Sequence, residues 1–328
     1  HKELELSTRV SALLTVIGTG AFTWFFLKGE DVSAMGFNLG VLSPWIAAVA
    51  GNVSGIFIGK LAEIFTSYDF KSTKRVSEAS REGTALNITQ GMAVGMKSVF
   101  FPILVLAVAT IAANAVAGLY GVAMAAIGML SYVVATVSVD TYGPIADNAG
   151  GISEMAKLDP KVRNITDHLD AVGNTTAAIG KGFAIGSAAL AALSLFSSYL
   201  YAQAAPGETS GFTLNLNFID TLTMAGGLVG AALPFLFSGI LIEAVAKAAR
   251  KMVQEVRRQF QEIPGILTGE TKPDYASCIK ISSAGALAEM KLPAILSVTA
   301  PLVGGFVFGV NFVAGMLIGT TLTAVVLA

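Results

Sequence analysis

Charged side chains are scarce in this sequence. Only 13% of its 328 residues are Asp, Glu, Lys or Arg, whereas soluble domains average about 25%. The charges that are present come in clusters between long apolar stretches. A chain of this length with so few charges cannot cover a water-facing surface, which argues against a large soluble helical protein.

Other absences narrow the function. The formal net charge is −1, so no basic field favours a nucleic-acid partner. A single cysteine, Cys278, excludes an intrachain disulfide. The sequence contains no Gly-x-x-x-x-Gly-Lys-Ser/Thr loop, no His-Glu-x-x-His and no Gly-x-Ser-x-Gly. ATP-driven pumping by a P-loop is therefore not supported within this segment.

Long apolar stretches are abundant instead, and a membrane helix needs about 20 mostly apolar residues. Eight candidate spans are 10–27, 41–65, 99–116, 120–139, 183–200, 218–246, 292–310 and 312–328. The pattern predicts an all-α, polytopic transmembrane helical bundle of about eight spans, with 1–328 as a single membrane domain. Because the chain opens on His1 and stops within an apolar run, we expect it to be a fragment of a longer protein.

The basic residues orient these spans. With eight spans, 20 of the 21 Lys and Arg fall on one side, and Lys28 alone falls on the other. Cytoplasmic loops carry the Lys and Arg excess, so the predicted cytoplasmic loops are 66–98, 140–170 and 247–291. The amphipathic, basic stretch 247–261 is predicted to continue the sixth span into the cytoplasm.

Glycine and other small residues recur at four-residue spacing, which lets membrane helices approach closely. The sets of glycines that predict a tightly packed bundle are Gly51/Gly55/Gly59, Gly91/Gly95, Gly182/Gly186, Gly305/Gly309 and Gly315/Gly319.

Two carboxylates follow directly on the fourth span. Asp140 and Asp147 are seven residues apart, so a continuing helix places both on one face. Pro144 removes the backbone donor to the Asp140 carbonyl, and a kink is expected there. Carboxylates on one stripe suit Mg²⁺, a hard ion that prefers oxygen ligands. The alternative is a helix-ending turn with a capping aspartate.

A second polar stripe follows. Asp170, Asn174, Ala177 and Lys181 are offset by 4, 7 and 11 residues, so they lie along one side of a helix. An acid, an amide and a lysine in one line could hold a metal–phosphate ligand. They could equally form an interhelical hydrogen-bond ladder.

Two glutamates lie near predicted membrane boundaries. Glu63 follows Lys60 by three residues, and either an ion pair between them or a functional role fits this spacing. For Glu243 an ion pair with Lys247 is favoured.

Together these segments resemble the membrane-integral, ion-pumping inorganic pyrophosphatases. The two long motifs are DTYGPIADNAGGISEM at 140–155 and LDAVGNTTAAIGKGFAIG at 169–186. Shorter stretches that fit are EIFTS at 63–67, EVRRQF at 255–260 and KPDYA at 272–276. The similarity runs along essentially the whole chain, and two long motifs in order make it specific.

The resemblance implies hydrolysis of pyrophosphate to two phosphates, coupled to pumping of Na⁺, H⁺ or both out of the cytoplasm. It also implies Mg²⁺, a homodimer and sixteen spans per subunit, of which this chain would hold about half. Asp147 would be a metal ligand, and Asp170 and Asn174 would lie close to the metal–pyrophosphate cluster. Lys181 would contact the pyrophosphate oxygens, and Glu63 would lie at the edge of the site.

The resemblance also bears on K⁺. Members that do not need K⁺ carry lysine directly after Gly-Asn-Thr-Thr, where its ammonium replaces the ion. Here Ala177 occupies that position and Gly180 replaces the accompanying threonine, which resembles the K⁺-dependent branch.

Two other functions stay open from the residues alone. A secondary transporter would bind a solute or coupling ion near mid-membrane, whereas these polar groups crowd the cytoplasmic end. A non-catalytic scaffold would show no metal or phosphate dependence. The expected location is a prokaryotic inner membrane, with the active site facing the cytoplasm.

Overall fold

The computed structural model describes residues 2–32, 35–131, 133–202 and 217–328, and within them all regular structure is helical. The α-helices are α1 (Lys2–Leu27), α2 (Ser43–Thr66), α3 (Lys71–Glu82), α4 (Thr84–Met129), α5 (Val133–Asp140), α6 (Tyr142–Met155), α7 (Pro160–Tyr201), α8 (Thr221–Glu262), α9 (Tyr275–Glu289), α10 (Lys291–Phe308) and α11 (Val310–Leu327).

Seven helical segments of the described chain are long and apolar enough to cross a membrane. They are Leu6–Leu27, Gly40–Glu82, Thr84–Met155, Pro160–Tyr199, Thr221–Glu262, Tyr275–Phe308 and Val310–Leu327. The predicted all-α polytopic bundle is confirmed. The third segment contains two of the eight predicted spans, 99–116 and 120–139.

A sharp reversal inside α4 separates those two spans. Ala117 (φ −145°, ψ 28°) and Gly118 (φ 59°, ψ −152°) leave the helical conformation. Beyond them, a Cβ added to Gly121 would overlap the carbonyl oxygen of Ala113. In a straight helix, residues eight apart are separated by about 12 Å, so the chain must turn back here. Gly118 is suited to this turn because its positive φ is costly for other residues.

The contacts within the chain group it into two compact units, His1–Ala204 and Ala205–Ala328. The single domain over 1–328 stays a prediction. The three predicted cytoplasmic loops are mostly helical. They contain α3, α6 and α9 and the ends of longer helices. The predicted continuation of the sixth span is confirmed, since α8 runs to Glu262.

In the first unit, α2 and α4 approach each other backbone to backbone. A Cβ on Gly51 would overlap the Ala125 carbonyl, and a Cβ on Gly128 would overlap the Ala48 carbonyl. The adjoining buried cluster includes Ile58, Val122, Met129, Phe183 and Leu190 from α2, α4 and α7. Glycine thus brings the helices close enough for large side chains to fill the core around the contact.

The second unit uses the same device between α8 and α11. Four glycines have no room for a Cβ because each lies against a backbone carbonyl of the facing helix. The pairs are Gly226 with Phe312, Gly230 with Met316, Gly315 with Thr223 and Gly319 with Gly227. The predicted packing role of Gly315 and Gly319 is confirmed. In the part of the chain that the structure describes, a Cβ on Gly91 or Gly95 meets nothing within 4 Å.

Replacing Gly128 with leucine should lower the thermal unfolding midpoint of the protein in detergent micelles. The side chain would separate α2 from α4, and overpacking of this kind costs typically about 1–3 kcal/mol. Gly95→Leu in the same helix is the matched control, because Gly95 faces open space. Midpoints that shift equally in both variants would contradict the assigned contact.

Candidate functional site

Helices α5 and α6 pack antiparallel against α7 along a seam of small residues. A Cβ on Gly180 would lie 3.1 Å from Thr136 Cγ2, and one on Gly173 would lie 2.7 Å from Gly143 Cα. Further along, a Cβ on Gly150 would lie 3.9 Å from Oγ1 of Thr166. Each step of seven residues along α5–α6 is therefore matched by a step of seven back along α7.

This register fixes which side chains lie side by side. A residue that lies four positions after one contact residue, and therefore three positions before the next one, has its side chain directed slightly to one side of the seam. This follows because a helix turns about 100° per residue. In an antiparallel pair, the same offset on both helices falls on the same side. On α5–α6 these positions are Asp140 and Asp147, and on α7 they are Asp170 and Ala177. The seam therefore brings the two predicted stripes to one face.

An ion pair across the seam confirms the geometry. Arg163 Nη1 lies 2.6 Å from Glu154 Oε2. Seven residues back along α6 and seven forward along α7 stand Asp147 and Asp170. The level that corresponds to the Glu154–Arg163 ion pair is thus occupied by two acids. One further step of seven pairs Asp140 with Ala177.

The remaining predicted residues of the stripe extend this face. Asn174 Nδ2 donates to Asp170 Oδ1 at 3.0 Å, so the amide is held against the carboxylate. Lys181 follows Asn174 by seven residues and has an exposed side chain, as have Asn174 and Asp147. The face therefore carries three acids, an amide and an ammonium group, all reachable from solvent in this chain.

The helix is interrupted where the kink at Pro144 was predicted, although Thr141 itself keeps helical dihedral angles (φ −65°, ψ −20°). Helix α5 ends at Asp140 and α6 begins at Tyr142, so the break falls at Thr141. The Tyr142 hydroxyl then donates to the Leu169 carbonyl at 3.1 Å. That bond ties the start of α6 to α7 at the level of the carboxylates.

Glu63 lies elsewhere. Its carboxylate pairs with Lys60 at 2.6 Å, and its side chain is only 12% exposed. Helix α2 contacts α7 at Ile179, against which a Cβ on Gly59 would lie at 3.0 Å. Ile179 follows Asp170 by nine residues, or two and a half turns, so α2 packs on the opposite side of α7. The structure does not bring Glu63 to the polar face, and its role there stays a prediction.

The polar face supplies few metal ligands. Among the described residues, no three His, Cys, Asp or Glu side chains are grouped closely enough to hold a metal ion. Asp147 and Asp170 with the Asn174 amide offer only oxygen donors. This set fits Mg²⁺, which is commonly bound by one or two carboxylates and shares its remaining positions with water and substrate phosphates.

Comparison with known proteins decides the family. The family model described as inorganic H⁺ pyrophosphatase matches residues 1–328. The chain belongs to this family.

Curated relatives of this pyrophosphatase-family chain carry related names. It is 56% identical over 332 residues to a K⁺-stimulated pyrophosphate-energized sodium pump of Thermotoga maritima, covering 100% of this chain and 46% of the relative. A putative pump of the same description from Clostridium tetani is 48% identical over 286 residues, 85% of this chain and 41% of the relative. A K⁺-insensitive pyrophosphate-energized proton pump of Methanosarcina mazei is 41% identical over 301 residues, which cover 89% of this chain and 44% of the relative. The chain therefore spans about half the length of these relatives.

Two shorter motifs of the pyrophosphatase resemblance meet in the second unit. Gln259 is buried, accepts from the Asp274 backbone N–H at 2.8 Å and donates to the Asp274 carbonyl at 3.0 Å. Its amide also donates to Glu255 at 2.8 Å. Arg258 donates to Glu255 at 2.7 Å and to Glu262 at 2.7 Å. These bonds fasten 272–276 onto the end of α8.

The partner of Lys247 corrects one prediction, and the structure shows a capping role for Asp220. Lys247 pairs with Glu289 of α9, so the prediction that it pairs with Glu243 is wrong. The competing partner lies 42 positions away and no local spacing reveals it. Asp220, near the other end of the sixth predicted span, caps α8 by accepting from Thr223 N at 3.0 Å.

Sequence reasoning missed Arg163, Glu154 and Tyr142. A signal existed for Glu154, because it continues the seven-residue spacing of Asp140 and Asp147. Its partner Arg163 could be found only with the register of α6 on α7.

The Glu255 cluster makes stability depend on pH. Hydrogen bonds from Arg258 and Gln259 lower the pKa of Glu255 to about 2, and bonds from Ser277 lower the pKa of Asp274. A carboxyl group whose pKa is lower in the folded state than in the unfolded state stabilises the folded state at pH values above its unfolded-state pKa. This stabilisation is lost as the pH falls.

The unfolding midpoint should therefore drop between about pH 5 and pH 2, and Glu255→Gln should flatten that drop. Glu270→Gln, at an exposed position of the same unit, should leave the pH profile unchanged. A Glu255→Gln profile identical to the parent would refute the assignment.

Proposed function

We propose that this chain forms part of the active site of a pyrophosphate-energized ion pump, which hydrolyses pyrophosphate and moves Na⁺ or H⁺ out of the cytoplasm. The observation that carries the proposal is the Asp147–Asp170 pair on one face of the α6–α7 seam, beside Asn174 and Lys181. The names of the relatives agree with this reading.

Two carboxylates at corresponding positions repel each other unless a cation lies between them. In the proposal that cation is Mg²⁺, held by Asp147 and Asp170 and by phosphate oxygens of the substrate. When bound, it would neutralise charge on the transferring phosphoryl group.

The chain's own residues complete the arrangement. Asn174 donates to Asp170 and so holds that carboxylate in orientation. The Lys181 ammonium, two turns beyond Asn174, contacts the pyrophosphate oxygens and offsets their negative charge. A water oxygen attacks one phosphorus directly, the bridging P–O bond breaks, and the leaving phosphate takes the electron pair. The attacking water releases a proton to the surrounding water. No covalent enzyme intermediate is required.

K⁺ activation also belongs to the proposal. Ala177 lies across the seam from Asp140, so a carboxylate there faces a side chain that brings no charge. A monovalent cation in this space would stand near both Asp140 and the phosphates, where a lysine at position 177 would place an ammonium. The two most identical relatives reported above are named K⁺-stimulated.

The wider assembly is proposed from the family resemblance. The pump would be a homodimer in a prokaryotic inner membrane, with the polar face toward the cytoplasm. Because the chain spans about half the length of its relatives, activity is to be measured on the protein at its full natural length.

Lys181→Ala should reduce pyrophosphate hydrolysis by at least about a hundredfold, since it removes a preorganised charge at the transferring group. Phosphate release from membrane vesicles measures this. Lys161→Ala, which removes an exposed lysine from the first turn of the same helix, should retain activity. Unchanged hydrolysis and pyrophosphate affinity in Lys181→Ala would exclude the assigned role. Binding of pyrophosphate without hydrolysis by the unaltered protein would favour a transporter instead.

Ala177→Lys should make hydrolysis independent of K⁺, whereas the parent should need the ion. Activity is compared in K⁺ and in a K⁺-free buffer of equal ionic strength. Ala177→Leu is the control, because it fills the space without adding charge and should lose activity in both buffers. A parent protein indifferent to K⁺ would refute this reading of Ala177.

A further inference from the structure

We propose that Arg163 is a positioning residue that sets the height of Asp147 relative to Asp170, and thereby the metal affinity of the pair. Its effect on activity rests on the function proposed above. Its effect on helix register does not.

Arg163 links the two helices through three acceptors. Its Nε lies 2.7 Å from Asp167 Oδ1 on its own helix. Its Nη1 lies 2.6 Å from Glu154 Oε2 and donates to the Gly150 carbonyl at 2.9 Å. One planar guanidinium is thus fixed to α7 and to two points one turn apart on α6, a geometry that a lysine ammonium cannot reproduce.

Small residues line the seam. Where α6 meets α7, glycine faces glycine at Gly143 and Gly173, and the nearest side chain is that of Tyr142, whose Cδ1 would lie 3.6 Å from a Cβ on Gly173. Directional bonds therefore contribute to the axial position of α6. Arg163 supplies two of these, and the Tyr142–Leu169 and Ser153–Thr166 bonds, at 3.1 and 3.2 Å, supply others.

A small slide would matter to a metal site. One residue of register corresponds to about 1.5 Å along the axis, whereas metal–ligand distances are held within about 0.2 Å. Asp147 and Asp170 stand two turns from the Arg163–Glu154 pair, on the same side of the seam. Loss of Arg163 would let the two carboxylates shift along the helix axis relative to each other. The apolar core around Phe183, in the other half of α7, would stay intact.

The first test is the Mg²⁺ dependence of hydrolysis in the full-length protein. Arg163→Ala should raise the Mg²⁺ concentration for half-maximal activity by about tenfold, as loss of a ligand-orienting partner usually does. Arg163→Lys should fall between this variant and the parent. Lys161→Ala, which removes a positive charge two residues away, should leave the Mg²⁺ dependence unchanged. A merely structural role would lower the yield of protein and leave the Mg²⁺ midpoint where it was.

The second test needs no activity. In a background in which Cys278 and any other cysteine of the full-length protein are replaced by serine, Asp147→Cys and Asp170→Cys should be joined by a short bifunctional thiol reagent, because the register places them side by side. Adding Arg163→Ala should slow this cross-linking several-fold, and adding Lys161→Ala should not. Equal cross-linking rates with and without Arg163, in folded protein, would overturn the proposal. If the double-cysteine variant cross-links as expected but the unsubstituted protein hydrolyses no pyrophosphate, the proposed function fails and the register assignment stands.

Discussion

The backbone contact between α6 and α7 is the constraint on which the candidate site depends. A Cβ on Gly173 would lie 2.7 Å from Gly143 Cα, so any other residue at position 173 would push the helices apart. At this separation Asp147 and Asp170 become neighbours on one side of the seam. The glycines therefore contribute no ligand, but they determine that two acids from different helices lie on one side of the seam, as the proposed cation site requires. Glycine lowers helix stability by roughly 1 kcal/mol relative to alanine, and this cost is consistent with a positional requirement here.

The same seam illustrates how charge is distributed along a helix pair. Glu154 and Arg163 neutralise each other at one end, and the pair two turns away is left with two acids. A stability-driven sequence would place opposite charges at both levels. Departures from locally favourable pairing are expected where a protein binds something, and the level with two acids is where the proposed function places its cation.

Much of the fold could be predicted from the sequence, because apolar length and small-residue spacing act locally. The eight spans, the break at Thr141 and the long α8 follow from such patterns. The reversal at Ala117–Gly118 falls in the predicted short link between the spans 99–116 and 120–139, although apolar residues continue on both sides of it. For the site, the stripes were predictable from spacing within a helix, whereas the position of Glu63 behind α7 depends on helix packing. The predicted Glu243–Lys247 pair failed for the same reason, because Lys247 pairs instead with Glu289, which is distant in the sequence.

Helix α7 also connects the polar face to the membrane core. It runs unbroken from Pro160 to Tyr201, a length of about 63 Å. Asp170 and Asn174 lie in its first half, and Phe183 and Leu190 are fully buried in its second half. Because a hydrogen-bonded helix is stiff along its axis, a shift of the carboxylate end displaces the buried side chains by a similar distance. In the proposed pump, the arrival and departure of phosphate charge would therefore act directly on packing inside the bilayer.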